Sequence, residues 1–236
     1  MISEEQRYLL DSVVDWFNRP DQIRHYRDEA SAGPTPAEQA LLSSLPAKGS
    51  VLDVGCGAGR ISTWLARRGL QVTGIDVSEE LLEAAKQLSA QPDLMINYQC
   101  VSGMDALAPG MRFDHAICFK VLCYIPTKEL RHQYMCDLYQ SLEPGGTCLL
   151  TQYIVPEEYI NDAMDEDYYK SPASGFTIVE RGDSFPQAAG YVRWFTEREL
   201  WNELDASPFK IVRSFSDGPY GGDGLIRLFE LKREIE

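Results

Sequence analysis

The run Val51-Leu52-Asp53-Val54-Gly55-Cys56-Gly57-Ala58-Gly59-Arg60 constrains this chain more than any other ten residues in it. Val51–Val54 reads as a short buried strand of the parallel-sheet type. The three glycines after it supply a turn, because a residue without Cβ adopts left-handed backbone and lets a ligand approach closely. Arg60–Arg68 then has helical spacing, with Ile61, Trp64 and Leu65 on its inner side and Gly69 as a stop. A strand passing through glycines into a helix N-terminus is where α/β proteins seat nucleotide-like ligands. The spacing here is G-x-G-x-G, and the dinucleotide fingerprint requires glycine where this chain has Arg60. The loop therefore points away from NAD, toward a nucleoside without a pyrophosphate.

Strand and helix signals alternate on both sides of this loop. Residues 4–18 carry Tyr8, Leu9, Val13, Trp16 and Phe17 at roughly helical period, and Pro20 is expected to close that segment. His25–Glu29 is expected to lead into a loop, and a second helix is predicted over Pro36–Leu45 with Thr35 as its N-cap. After the glycine loop come a strand at Gln71–Ile75 and a helix at Glu79–Leu88 capped by Ser78. Strands are predicted at Met95–Val101 and Phe113–Phe119. A helix follows at Lys128–Leu142, ended sharply by Leu142-Glu143-Pro144-Gly145-Gly146, and then a fifth strand at Thr147–Gln152. Such alternation predicts an α/β fold with a parallel sheet covered by helices on both faces. A helix capped by Thr196 runs to Leu204, and Phe209–Phe215 and Leu225–Lys232 form a final antiparallel hairpin.

Residues 153–192 break the rhythm. Tyr153, Tyr159, Tyr168, Tyr169 and Phe176 lie there among Glu157, Glu158, Asp162, Asp165, Glu166 and Asp167. A loop-rich stretch of this length reads as a lid over a site or as a solvated surface. Aromatic faces and carboxylates together favour a cationic or amine substrate. Trp194, Phe195, Trp201 and Leu204 are expected to pack this segment against the core.

Composition narrows the function classes. The chain has 36 acidic against 22 basic residues, a formal charge of −14, which disfavours nucleic acid and anionic membranes as partners. No eighteen-residue apolar stretch and no apolar signal core is present, so a cytoplasmic location is expected. The six cysteines form no C-x-x-C pair and are expected to be free thiols, most of them buried. No histidine pair has metal-ligand spacing, so no metal is predicted.

Asp76 stands at the end of the second strand, where a carboxylate can accept hydrogen bonds from both hydroxyls of a ribose. Asp53, inside an apolar strand, needs partners to be buried as an anion, and loop amides or a ligand's ammonium group are candidates. At this point the chain resembles the class I S-adenosylmethionine-dependent methyltransferases of the small-molecule type. Asp53 to Gly59 matches their acid-x-Gly-x-Gly-x-Gly motif, and Asp76 matches their acid after the second strand. Phe113-Asp114-His115-Ala116-Ile117-Cys118 and Leu142–Gly146 match their fourth-strand motif and the turn before strand five. The resemblance is close over residues 50–151.

It implies a Rossmann-like seven-stranded sheet, mostly parallel with an antiparallel last strand. The implied organisation is one methyltransferase domain over 1–236: a helical cap at 1–45, a cofactor-binding core at 46–152, a lid at 153–192, and a C-terminal helix and hairpin at 193–236. S-adenosylmethionine is the implied cofactor. Gly55, Cys56, Gly57 and Gly59 would meet its methionine part, oriented by Asp53, and Asp76 would hold the ribose with Val77 against the adenine. Ser102, Gly103 and Met104 fall at the adenine edge, although Gly103 stands where many relatives have aspartate, a role Asp105 could take. Lys120 would lie beside the sulfonium, and Tyr26 in the cap would close over the cofactor.

The expected reaction is N- or O-methylation of a small molecule such as an amine. His25, beside Tyr26, is the histidine best placed to act as a base, with Tyr26 as a second candidate. His115 is expected to be a satisfied core residue and His132 a solvent-exposed one. The alternative is a catalytically silent S-adenosylmethionine-binding regulatory protein. A nicotinamide oxidoreductase is disfavoured by Arg60.

Overall fold

The computed structural model describes residues 2–91, 93–102 and 110–235. Seven strands form one sheet in the order β3-β2-β1-β4-β5-β9-β8. These are β1 (Ser50–Val54), β2 (Gln71–Asp76), β3 (Ile96–Cys100), β4 (Phe113–Phe119), β5 (Leu142–Tyr153), β8 (Lys210–Ser216) and β9 (Ile226–Lys232). β1 to β5 are mutually parallel, and β9 runs antiparallel to both β5 and β8. The chain leaves β1 toward β2 on one side and later returns to β4 on the other. That reversal opens a crevice beyond the carboxyl ends of β1 and β4.

The two-residue period of the strands sorts their side chains onto two cores. Leu52, Val54, Ala116, Cys118, Cys148, Leu150, Phe229 and Leu231 face one side. They pack there against α6 (Lys128–Gln140) and α8 (Glu197–Asp205) through Tyr134, Met135, Leu138, Leu200 and Leu204. Val51, Ile117, Leu149 and Leu228 face the other side, against α3 (Pro36–Leu42) and α4 (Arg60–Arg67). Asp53 shares the parity of Val51, so its carboxylate is turned into the α4 side. α5 (Glu79–Leu88) is capped by the Ser78 hydroxyl, which accepts from the Leu81 amide. Thr35 and Thr196 each form a complete capping box, so all three N-caps read from the sequence are present.

Three local expectations are corrected. Pro20 does not close a helix that leads into a loop. α1 (Glu4–Phe17) stops at Asn18, and Pro20 opens α2 (Pro20–Glu29), which includes His25–Glu29. Proline suits that first helical position because its missing N–H would have no partner there. Leu142–Gly146 is not only a turn, because α6 ends at Gln140 and β5 begins at Leu142, paired with Phe113. A register shift between Phe113 and His115 absorbs Pro144 and the left-handed Gly145. His115 is buried, but its Nδ1 has no hydrogen-bond partner and burial lowers its pKa, so it is a core residue left unsatisfied. His132 is exposed, as read.

Residues 153–192 are ordered by their own small core. α7 (Glu166–Lys170) and the two-stranded ribbon of β6 (Asp183–Ser184) and β7 (Val192–Arg193) carry Tyr168, Phe185 and Tyr191 onto Leu9 and Val13 of α1. A buried polar network ties the same segment to α6 and α8. Arg131, 1% exposed, donates to Glu203 at 2.6 and 2.9 Å, and Arg193 meets Asp183 and Glu199. Both guanidinium groups flank the buried ring of Phe195. All six cysteines are free, four of them buried, with Cys100 exposed and Cys136 half-buried.

Candidate active site

A cavity of about 300 Å³ fills the crevice. Its floor is the β1 loop. Gly55, Gly57 and Gly59 all have positive φ, at 66°, 52° and 81°, so each adopts the backbone that side chains disfavour. A Cβ at Gly55 would stand 2.6 Å from the Val121 side chain, whereas at Gly57 it would meet nothing. Gly57 thus presents open backbone to the cavity. Gly55→Ala is expected to cost about 2 kcal/mol in urea unfolding, from strained φ and the stiff valine together.

Two carboxylates close the loop from beneath. Asp76, 8% exposed, accepts from the Gly57 amide at 2.8 Å and from the Ser78 amide at 2.9 Å. It thereby holds the glycine loop against the β2–α5 turn. Burial raises its pKa despite those amide donors. Asp53, 3% exposed, accepts from the Ser62 hydroxyl at 2.6 Å. Burial pushes its carboxyl up to about 7, against the opposing pull of Ser62 and Arg60.

A carboxyl raised this far favours the folded protein while protonated. Its stabilising effect is complete below about pH 4, the unfolded value, and disappears as the pH climbs toward 7. Asp53→Asn, which keeps an acceptor for Ser62, is therefore expected to melt above the wild type at pH 8 without ligand. The gap in thermal melts should close toward pH 4.

The roof comes from the N-terminal helices. Phe17 of α1, Tyr26 of α2 and Tyr124 form an aromatic group, with Phe17 ring centroids 5.6 and 4.9 Å from those of Tyr26 and Tyr124. Tyr26 and Phe17 also pack on Ala58, Leu81 and Ala84, so the cap rests on the glycine loop and α5. Burial, with Glu29 adding to it, pushes the Tyr26 hydroxyl up to about 12. At neutral pH it is therefore protonated. His25 borders the cavity but is largely exposed, 3.5 Å from Glu29.

Arg60, read from the sequence only as a missing glycine, fastens the cap. Its guanidinium donates to both oxygens of Glu38, at 2.6 and 2.9 Å, and to the Gly33 carbonyl at 2.9 Å.

Of the residues singled out from the sequence, His25, Tyr26, Asp53, Gly55, Cys56, Gly57, Asp76, Val77 and Lys120 border this one cavity. Gly59 does not; it serves as the left-handed N-cap of α4. Ser102 is exposed and off the cavity, and Gly103 and Met104 lie outside the described residues. Lys120 is not within β4, which ends at Phe119. It takes left-handed backbone at φ 57° and leads into a 3-10 turn at Leu122–Tyr124. Phe17, Tyr124 and Tyr134 also line the cavity and were not anticipated. Tyr134 comes from α6 with its hydroxyl buried and unpartnered.

The methyltransferase domain family matches residues 51–146, from the first residue after the start of β1 to the Gly145-Gly146 bend. Those residues, which hold the glycine loop and β1, β2 and β4, are thus similar to a methyltransferase domain. The chain is 40% identical over 143 residues to a ubiquinone biosynthesis O-methyltransferase of Coxiella burnetii, 61% of this chain and 58% of that protein. The chain thus spans somewhat over half the length of the curated relative it matches.

Two solved structures share the fold along nearly all of the chain. One is a 1,6-didemethyltoxoflavin-N1-methyltransferase of Burkholderia thailandensis (TM-score 0.66, 19% identity, 99% of this chain and 92% of that one). The other is a magnesium protoporphyrin IX methyltransferase of Synechocystis (TM-score 0.62, 18% identity, 99% of each). Among the described residues no group of His, Cys, Asp and Glu could hold a metal ion, and no helix is long and apolar enough to cross a membrane.

The residues present fit S-adenosylmethionine. A bare backbone cradle at Gly57, a buried acid at the end of β2 and a second acid under the loop match its amino-acid, ribose and ammonium groups.

Proposed function

We propose that this protein transfers a methyl group from S-adenosylmethionine to an oxygen or nitrogen of a small organic acceptor. The observation that carries the reading is a junction. The cavity framed by Gly57, Asp53 and Asp76 shares Lys120 and Tyr124 with a second cavity of about 540 Å³, bounded by β5 and residues 153–194. A donor in the first and an acceptor in the second would meet at the ends of β4 and β5. The name of the Coxiella relative favours oxygen as the acceptor atom.

The bound cofactor supplies an electrophilic methyl on a sulfonium, so the protein's work is placement. Asp76 would take the ribose hydroxyls, Asp53 the ammonium and the Gly57 loop the amino-acid backbone. Phe17, Tyr26 and Tyr124 exclude water from above. Tyr26, a phenol at neutral pH, would offer the bound donor a hydrogen bond rather than take a proton. Lys120 stands where the two cavities meet, and its positive charge favours negative charge that builds up on an acceptor oxygen as its proton leaves. Residues 153–192 act as the wall of the acceptor site, held by the Arg131 and Arg193 network.

The test is calorimetry with S-adenosylhomocysteine, followed by incubation with methyl-labelled S-adenosylmethionine and pooled small metabolites. Binding together with a labelled product is expected. Binding without any product would favour the silent regulatory alternative, and no binding would overturn the reading.

A further inference from the structure

We propose that the second cavity is the acceptor site and that Gln152 selects its occupant, a flat aromatic acceptor presenting an O–H or ring N–H to the Gln152 carbonyl. The proposal rests on the methyltransferase reading above and adds the substrate class to it.

Gln152 lies on β5, one residue past Thr151, whose carbonyl accepts from the Lys120 amide. It lines the second cavity yet is only 1% exposed. Its Nε2 donates to the Tyr153 carbonyl at 3.3 Å, while its Oε1 has no partner. Turning the amide would set its oxygen against the Tyr153 carbonyl oxygen. The Cys123 thiol beside it does not fill the need, because it points at the Lys120 carbonyl. A buried carbonyl without a donor is costly in a folded protein, and a ligand that supplies the donor removes that cost.

The walls define the rest of the occupant. Tyr153, Tyr159 and Trp194 border the cavity with aromatic faces and edges suited to a flat ring. The segment's carboxylates are mostly committed elsewhere. Glu157 pairs with Arg181, Glu166 with Lys170 and Asp183 with Arg193, while Asp165 caps α7 and Asp167 accepts from the Gln187 amide. Asp162 borders the cavity, but so do Lys120 and Arg193. That balance suits a neutral or phenolic ring, and the cation expected from the acidic composition loses its support.

The experiment uses 1-naphthol and its ether 1-methoxynaphthalene, which differ in the O–H alone apart from the added methyl. Each is titrated into the full chain saturated with S-adenosylhomocysteine. The wild type is expected to bind 1-naphthol at least ~10-fold more tightly, and Gln152→Met, close in volume, is expected to lose that preference. S-adenosylhomocysteine should bind the variant within about twofold of wild type, showing that the fold and the first cavity are intact. Equal binding of both probes to the wild type, no binding of either, or a preference that survives in Gln152→Met would overturn the proposal. If S-adenosylhomocysteine itself fails to bind the wild type, the methyltransferase reading falls instead. The naphthol comparison, run without it, still decides the role of Gln152.

Discussion

Asp76→Ala is expected to weaken S-adenosylhomocysteine binding by at least ~100-fold in calorimetry, the largest single effect on ligand affinity in the cavity. Two losses add. The alanine removes the carboxylate proposed for the ribose, and it also frees the Gly57 and Ser78 amides that Asp76 now holds at 2.8 and 2.9 Å. With those amides released, the loop no longer presents its backbone in one geometry, so part of the ordering must be supplied by the ligand. Asp76→Asn separates the two contributions. It keeps an acceptor for one amide but not the charge, and should fall between alanine and wild type. An Asp76→Ala protein that binds within about threefold of wild type would show that the carboxylate serves the turn alone.

Glu38→Ala is expected to produce the largest loss of stability, about 3 kcal/mol in urea unfolding. The carboxylate is 4% exposed and accepts both terminal nitrogens of Arg60 as well as the Thr35 amide. Burial raises its pKa, but the hydrogen bonds and charge of Arg60 outweigh burial and leave it lowered. A lowered folded value means that this contribution is present above the unfolded pKa, near 4.5, and is lost as the pH falls through the folded one. Acidification should therefore erase the difference between Glu38→Ala and wild type. Removing Arg60 as well should cost less than the sum of the two single changes, because the second no longer strands a buried charge. A strictly additive double mutant would mean that the pair does not couple the cap to the loop.

The sheet and the cofactor crevice were legible because their signals are local. Apolar runs of five or six residues, glycines at three alternate positions and caps at Thr35, Ser78 and Thr196 each act within a few residues of themselves. Asp53 stood out for the same reason, as an acid flanked by Val51, Leu52 and Val54. What was not legible depends on contacts far apart in the chain. The helix after Pro20 is stabilised by packing on α5, and proline at its first position looks identical in sequence to proline ending the helix before it. Pro144 and Gly145 read as a turn, but pairing of Leu142 with Phe113 draws them into β5. Arg60 gave no hint of Glu38, 22 residues earlier. Acids in 153–192 suggested a cation site, and only their partners, such as Arg181 and Arg193, reveal that most are structural. Gln152 was a polar residue ending an apolar strand, a faint signal of the same kind as Asp53.

Helix α1 has a consequence for the rate at which any ligand leaves. Its Leu10, Val14 and Phe17 border the cofactor cavity, while Leu9 and Val13 are gripped by Tyr168, Phe185 and Tyr191 of the segment at 153–192. One helix is thus both the door to the donor and a bearing surface for the acceptor wall. Any shift of this helix that opened the donor cavity would also disturb its packing on Tyr168, Phe185 and Tyr191. On the proposed reading, release of the donor and of the methylated product would then be coupled through that one helix.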